Sequence, residues 1–397
     1  MKTTVAFLFG CRSVEHEVSI ISAVQAMRAV DKDAYDVLPI YVTKSGELYT
    51  SDAMFEVESF RDLKTLLKNA SPVALLRQGN DTVLRFLDSS LFNKKKDIII
   101  NVAFPVVHGT NCEDGTIQGY LEFLGLPYVG CDILSSAVGM DKAIFKDVMK
   151  SAGLPVLDCI KFYAKEYVAD RDKFISGIEE KIGYPVIVKP INLGSSVGIS
   201  KASDKNALLD AIDLAISFSD KVLVEKAIQN LREVNCSVLG DSDECFASVL
   251  EEPISHDEIL SYAEKYLGGS KGSSGSKGMA SLGRKLPAEL PSDKTQEIRS
   301  LAKDVFKALG SNGVVRIDFM LDTAEDKVYV NEINTIPGSL SFYLWEATDL
   351  SYPKLINKLI ELAFKRGREK ENLTFTIDTN ILSNVSFGSK GAKGSKF

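Results

Sequence analysis

The chain has 397 residues, 45% hydrophobic and 25% charged, with a formal net charge of -7, so two or three soluble domains are expected. The acidic balance argues against nucleic acid, because gripping a phosphate backbone takes a concentrated basic surface. No apolar run approaches a membrane span, and six cysteines without a CxxC pair point to neither a zinc site nor a disulfide framework.

The first ten residues carry one lysine and an apolar stretch too short for a signal peptide. That stretch runs into Gly10 and a charged turn, as a first buried strand does, so a cytoplasmic protein is expected. Val5–Phe9 predicts that strand, and a helix follows from about Val18 to Val30. Tyr35–Val42 and Ile98–Val107 are further apolar, β-rich runs. Strands alternating with helices predict a parallel sheet whose carboxyl-end loops, here Gly10–Glu17 and His108–Gly119, face a ligand.

A second unit begins near Gly130. Asp141–Gly153 has the acidic start and glycine stop of a helix. Then come a strand at Tyr184–Lys189, a glycine-rich turn at Asn192–Gly198 and another strand. A helix at Ser203–Ser217 and a strand at Lys221–Glu225 complete the unit. Val234–Leu239, Phe246–Glu251, Val314–Met320 and Lys327–Asn331 predict an antiparallel sheet, accompanied by helices at about Lys294–Leu309 and Tyr352–Arg366. Gly268–Gly278 and Gly388–Lys396 share a Gly/Ser/Lys composition. The tail suits a flexible terminus, while the internal stretch interrupts a domain, as a lid does.

Two strand patterns carry the chemistry. In Val315–Asp318 and Val330–Asn334, alternation puts Arg316 with Asp318 on one face, and Glu332 with Asn334 on one face. If the two faces coincide, they make a cluster of hard oxygen ligands beside an arginine, which suits magnesium. The bland alternative is a set of surface salt bridges, and the apolar neighbours Val314, Ile317, Phe319 and Ile333 count against it. There is no GxxxxGK[ST] and no GxGxxG opening a helix. Gly194–Gly198 (GSSVG) instead offers a hairpin whose N–H groups can press onto phosphate oxygens, with Lys142 and Lys189 on flanking elements.

Further short motifs stand in order along the chain: Ser13–Ser19 (SVEHEVS), His108-Gly109 with Glu113-Asp114-Gly115 and Gln118-Gly119, and Met140-Asp141-Lys142. They continue with Val188-Lys189-Pro190, Gly194–Gly198, Glu264–Leu267, Arg316-Ile317-Asp318, and Asn331–Thr335 with Pro337-Gly338. In this order they resemble the D-alanine–D-alanine ligase family, within the ATP-grasp superfamily, over nearly the whole chain.

The resemblance implies a mixed α/β and α+β, three-domain ATP-grasp architecture with a Rossmann-like N-terminal domain. Its bounds are 1–132, 133–225 and 226–370, with a glycine-rich loop inserted at about 268–283 and an extension at 371–397. It implies an ADP-forming ligation of two D-alanines through an acyl phosphate for peptidoglycan synthesis, with ATP and two Mg2+ (or Mn2+), in a homodimer.

By position, Glu15 resembles the carboxylate that holds the first substrate's ammonium group. Ser195 and Tyr266 resemble its hydrogen-bonded partners, and His108 lies near that substrate's carboxylate. Lys142, Lys189 and Lys265 resemble phosphate ligands, with Ser196 in the hairpin. Glu225, Lys226 and Ile228 resemble an adenine-binding hinge, and Glu233 a ribose contact. Arg316 resembles the group that stabilises the tetrahedral intermediate, while Asp318, Glu332 and Asn334 resemble the metal ligands. Gly338, Tyr343 and Leu344 occupy the second-substrate positions. Taken singly, Glu15 reads more readily as a helix cap and His108 as a satisfied core histidine. A tyrosine at 266, where ester-forming relatives carry histidine, implies an amine nucleophile.

The chain departs from the family pattern at Cys11, Cys112, Leu193 and the stretch Ser339–Trp345, where Tyr343 replaces an expected serine. The last change concerns the second substrate, so a ligase that joins D-alanine to another acceptor such as D-serine is the alternative enzyme. The alternative of another class is a nucleotide-binding regulator without turnover, which would have no use for metal ligands.

Overall fold

A computed structural model describes residues 2–88, 95–194, 197–254 and 283–380. They build three sheets. The first contains β1 (Thr3–Gly10), β2 (Tyr35–Val42), β3 (Leu48–Thr50), β4 (Ser71–Gln78), β5 (Asp81–Phe86), β6 (Ile98–Ile100) and β7 (Val102–Val106), in the order β6-β5-β4-β3-β2-β1-β7. The expected parallel pairing holds for β2-β1-β7. The rest of this sheet is antiparallel. Tight returns at Thr43–Glu47 and at Gly79-Asn80 join neighbouring strands there, and a turn that short cannot make a parallel crossover.

The run expected over Ile98–Val107 is two strands. Asn101 interrupts it, donating its N–H to the Thr4 carbonyl (3.1 Å) while its Oδ1 accepts from the Thr4 amide (2.8 Å). Because β6 pairs with β5 and β7 with β1, the two ends of the strand order are joined through one residue, and the sheet curls back on itself. β1 and β7 remain adjacent and parallel, so the loops after them open at the same edge.

The second sheet, β10-β9-β11-β8, comprises β8 (Cys159–Tyr163), β9 (Val186–Pro190), β10 (Ser200–Ala202) and β11 (Lys221–Lys226). The glycine-rich turn is the link of the antiparallel β9–β10 hairpin, as expected. The third sheet is antiparallel, β14-β13-β12-β15-β16, from β12 (Leu231–Gly240), β13 (Cys245–Pro253), β14 (Arg284–Lys285), β15 (Gly313–Asp322) and β16 (Lys327–Asn334).

Helices cover the sheets. Lys142–Ser151 starts where the Asp141 carboxylate accepts from the amides of Ala143 and Ile144, both at 3.0 Å, a cap that satisfies two orphan donors. This helix sends Phe145 and Met149 into the core of the third sheet. The last helix, Tyr352–Glu371, repeats apolar residues at Leu355, Ile356, Leu359, Ile360 and Ala363. That stripe joins the core formed by the first sheet and the helix His16–Ala29. Each fully buried leucine or isoleucine there stabilises the contact by about 1.5–3 kcal/mol. The chain therefore returns to its N-terminal sheet, and the three sheets surround one cavity.

Candidate active site

The two oxygen-rich strand faces do coincide. Register sets Arg316 opposite Asn334 and Asp318 opposite Glu332, and cross-strand partners share a face. The Arg316 guanidinium grips Asp318 with two parallel bonds, Nε to Oδ1 at 2.7 Å and Nη2 to Oδ2 at 2.8 Å. Asn334 donates its amide N–H to Asp318 Oδ2 (3.1 Å). Burial opposes the charge on Arg316, and Asp318 overcomes it, holding the pKa well above the ordinary arginine value. A bulge follows Asp318, so Asn331 is the extra residue on β16, and its Oδ1 accepts from Lys189 (3.2 Å).

This face forms one wall of a cavity of about 470 Å³. Every described residue predicted for the site lines it, with the exception of Leu344, which is fully buried. Ser195, Ser196, Lys265, Tyr266 and the glycine-rich loop up to residue 282, like the Gly/Ser/Lys tail, lie outside the described residues.

At one end stand the cations. Lys142 donates to the Leu193 carbonyl of the hairpin (2.7 Å) and lies 3.2 Å from Glu332 Oε2. Glu225, at the end of β11, is 1% exposed and paired with Lys189 and with Lys146, the latter at 2.8 Å. Burial pushes against its charge, but the two lysines prevail and bring its pKa down to about 2. Lys146 is a residue the sequence reading did not single out. Its spacing of four from Lys142 on one helix was the available signal. Lys226 donates to the Tyr184 carbonyl (2.8 Å), which ties the strand end to the loop before β9.

At the other end the loops after β1 and β7 meet the hairpin. Glu15 opens the helix His16–Ala29 without a side-chain capping bond, so the helix-cap alternative does not describe it. Its carboxylate instead lies against two glycines. A Cβ at Gly109, where φ is +81°, would stand 2.8 Å from Glu15 Oε2 and 2.3 Å from Ser13 Oγ. A Cβ at Gly194 would stand 2.9 Å from the same carboxylate oxygen. Only glycine lets both backbones approach that closely.

His108 is buried and spoken for at both ring nitrogens. Nδ1–H donates to the Ile336 carbonyl (2.9 Å), which leaves Nε2 to accept from the Ser22 hydroxyl (2.9 Å). Burial lowers its pKa, so the ring is neutral. Ser22 Oγ also accepts the Ser339 amide (3.0 Å). His108 therefore touches the cavity while anchoring the turn that begins at Gly338, and the satisfied-histidine alternative describes its hydrogen bonds.

Glu113 is a site residue that the sequence reading quoted only as part of a motif. Its carboxylate accepts the amides of Gly109 (3.1 Å) and Ile336 (2.9 Å), joining loops from the first and third sheets. Burial, and after it the charge of Glu15, raises its pKa to about 7 from 4.5. A carboxyl whose pKa is raised on folding lends stability that is full below pH 4.5 and lost as pH climbs through 7. Glu113→Gln should remove that part of the slope, about 3 kcal/mol at most. Denaturant titrations across the window check this, and parallel profiles for variant and parent would refute it.

Two models of known families match the chain, D-ala D-ala ligase N-terminus over residues 4–131 and D-ala D-ala ligase C-terminus over residues 148–361. A D-alanine–D-alanine ligase of Caldicellulosiruptor bescii is 42% identical, covering 94% of this chain and 99% of its own. Among solved structures, the D-alanine–D-alanine ligase of Coxiella burnetii is similar at 30% identity and a TM-score of 0.75, over 93% of this chain and 96% of its own. The VanG D-Ala:D-Ser ligase of Enterococcus faecalis is similar at 31% identity and 0.76, over 91% of this chain and all of its own (100%). With both family models matched in order on a fold and cavity of this kind, the chain belongs to the D-alanine–D-alanine ligase family.

Proposed function

We propose that the chain joins two D-alanines at the expense of ATP, forming ADP, phosphate and D-alanyl-D-alanine for peptidoglycan synthesis. The observation that carries this reading is the convergence on one cavity of the Arg316–Asp318–Glu332–Asn334 face, the lysines Lys142 and Lys189, and Glu15.

In the first step a carboxylate oxygen of one D-alanine attacks the γ-phosphorus and ADP departs, leaving an acyl phosphate. In the second, the amine of the other D-alanine attacks the acyl carbon, loses a proton, and expels phosphate. Lys142 and Lys189, with the hairpin amides, hold the phosphates. Glu225, Lys226 and Ile228 frame the adenine, and Glu233 meets the ribose. Glu15 holds the first ammonium group beside His108, and Arg316 faces the oxyanion of the tetrahedral intermediate. Such fixed charges, already oriented before reaction, are the usual source of rate in phosphoryl and acyl transfer.

Asp318, Glu332 and Asn334 present only oxygen donors for a metal, with no histidine or cysteine among them. That set fits hard divalent cations such as two Mg2+ or Mn2+. A metal held there neutralises phosphate charge. A cytoplasmic homodimer is part of the same reading. Among the described residues no helix is long and apolar enough to cross a membrane, and Phe123 and Leu134 are exposed on helices at and just beyond the end of the N-terminal unit.

Phosphate release from ATP and magnesium with D-alanine as the sole amino acid is the expected result. Silence across a panel of paired D-amino and D-hydroxy acids would overturn ligation. Release only after D-serine or another acceptor is added would keep the chemistry and replace the second substrate.

A further inference from the structure

One buried network on the cavity wall has no part in the steps above. Glu251 on β13 is 3% exposed. It lies in the cross-strand row that runs through Asn235 and Asp318 to Glu332. Glu251 Oε1 accepts from Asn235 Nδ2 (3.1 Å) and from the Tyr343 hydroxyl (2.9 Å), and Oε2 lies 2.7 Å from Arg284 Nη1. The Arg284 guanidinium sits over the Tyr343 ring, with Cζ 4.0 Å from its centroid. Tyr343 thus has its proton committed to Glu251 and one face covered by a cation. Turning the ring would break both contacts.

The backbone that delivers Tyr343 is unusual as well. Ser339, Leu340 and Ser341 take φ of +51°, +53° and +51°, a left-handed run that costs L-residues roughly 1–2 kcal/mol each. Such a turn persists where its surroundings dictate it. Here the Ser22 hydroxyl accepts the Ser339 amide, and the Leu340 amide donates to the Pro337 carbonyl (2.8 Å). An apolar wall of the same volume would be no less stable than a buried ion pair, so stability alone does not account for the Glu251–Arg284 pair.

We propose that Glu251 and Arg284 are positioning residues for the second amino acid, clamping Tyr343 into a fixed wall that sizes the acceptor pocket for a small α-amino acid. This rests on the ligation reading, in which Tyr343 occupies the second-substrate position. It also changes what Tyr343 contributes. Its hydroxyl donates within the protein, so the residue acts through the placement of its ring and oxygen, and not as a proton donor to the acceptor's carboxylate.

The test separates the two halves of the reaction in the full-length enzyme. Hydroxylamine traps the acyl phosphate as a hydroxamate, its nitrogen attacking the acyl carbon as phosphate leaves, and reports the first half alone. Dipeptide formation with varied acceptor reports the second. In Glu251→Gln and Arg284→Ala the KM for the acceptor should rise roughly tenfold, the scale set by losing a hydrogen bond to a charged group. Arg284→Lys should be intermediate, and D-serine should gain on D-alanine as acceptor. Hydroxamate formation and the KM for ATP should stay within about twofold.

A parallel fall in hydroxamate and dipeptide would overturn the clamp, because it would mean general damage. So would an unchanged acceptor KM in Glu251→Gln, which keeps the side chain's shape and reads the same bond should Arg284→Ala not fold. If the parent enzyme itself yields neither hydroxamate nor dipeptide, the ligation reading fails and takes the clamp with it.

Discussion

Glu332→Gln is expected to abolish turnover, lowering phosphate release by roughly a thousandfold or more, the scale seen when a fixed charge at a reacting phosphate is lost. The glutamine preserves volume and one oxygen but removes the negative charge that faces Asp318 across the strands and Lys142 at 3.2 Å. Fold should survive. Residue 332 is held by the β15–β16 ladder, and its side chain is 27% exposed, so its ion pair is partly screened. The expected signature is a dead enzyme that melts within a few degrees of its parent. Near-normal rates would remove Glu332 from the metal site. A large drop in melting temperature would instead make it a structural partner of Lys142.

Much of this site was legible in the sequence, for a local reason. Alternation along a strand is a two-residue rule, so Arg316 and Asp318, or Glu332 and Asn334, could be assigned to common faces without knowing the partner strand. The structure then supplied the register that brings the two faces together. The same rule says nothing about Asn331, because the bulge after Asp318 gives it an orientation that alternation does not predict.

Other residues escaped because their meaning is set by partners far along the chain. Glu113 acts on Ile336, 223 residues away. Ser22 acts on Ser339, 317 residues away, and Glu251 on Tyr343, 92 residues away. No window of sequence contains such a pair. The first sheet shows the same limit. The helix between β1 and β2 signals a parallel pair and the structure has it, whereas the antiparallel half of the sheet depends on short returns such as Gly79-Asn80, which a strand–helix alternation does not describe.

Glu225→Gln should be the most destabilising single change in the cavity, by about 3–5 kcal/mol, the cost of leaving a buried charge without its counter-ion. Two ammonium groups depend on this carboxylate. Lys146 is 3% exposed and Lys189 is 7% exposed, and glutamine offers them an amide oxygen but no charge. Burial alone would lower the pKa of Lys189, and it is chiefly Glu225 that raises it above the ordinary lysine value. The pH dependence has a definite sign. A carboxylate with an ordinary pKa of 4.5 that drops to about 2 in the folded chain lends stability that is present above pH 4.5 and lost as pH falls toward 2. The shift corresponds to about 3 kcal/mol, in keeping with the cost of removing the charge. Denaturant unfolding should therefore separate parent and variant widely at neutral pH, with the gap closing as acid neutralises the parent's carboxyl. A constant gap would mean that lost packing, not charge, explains the change. Function should follow stability here, because Lys189 also donates to Asn331 beside the proposed metal ligands. Loosening it at the adenine end should raise the KM for ATP and lower kcat together, whereas a hinge residue that only contacts adenine would change KM alone.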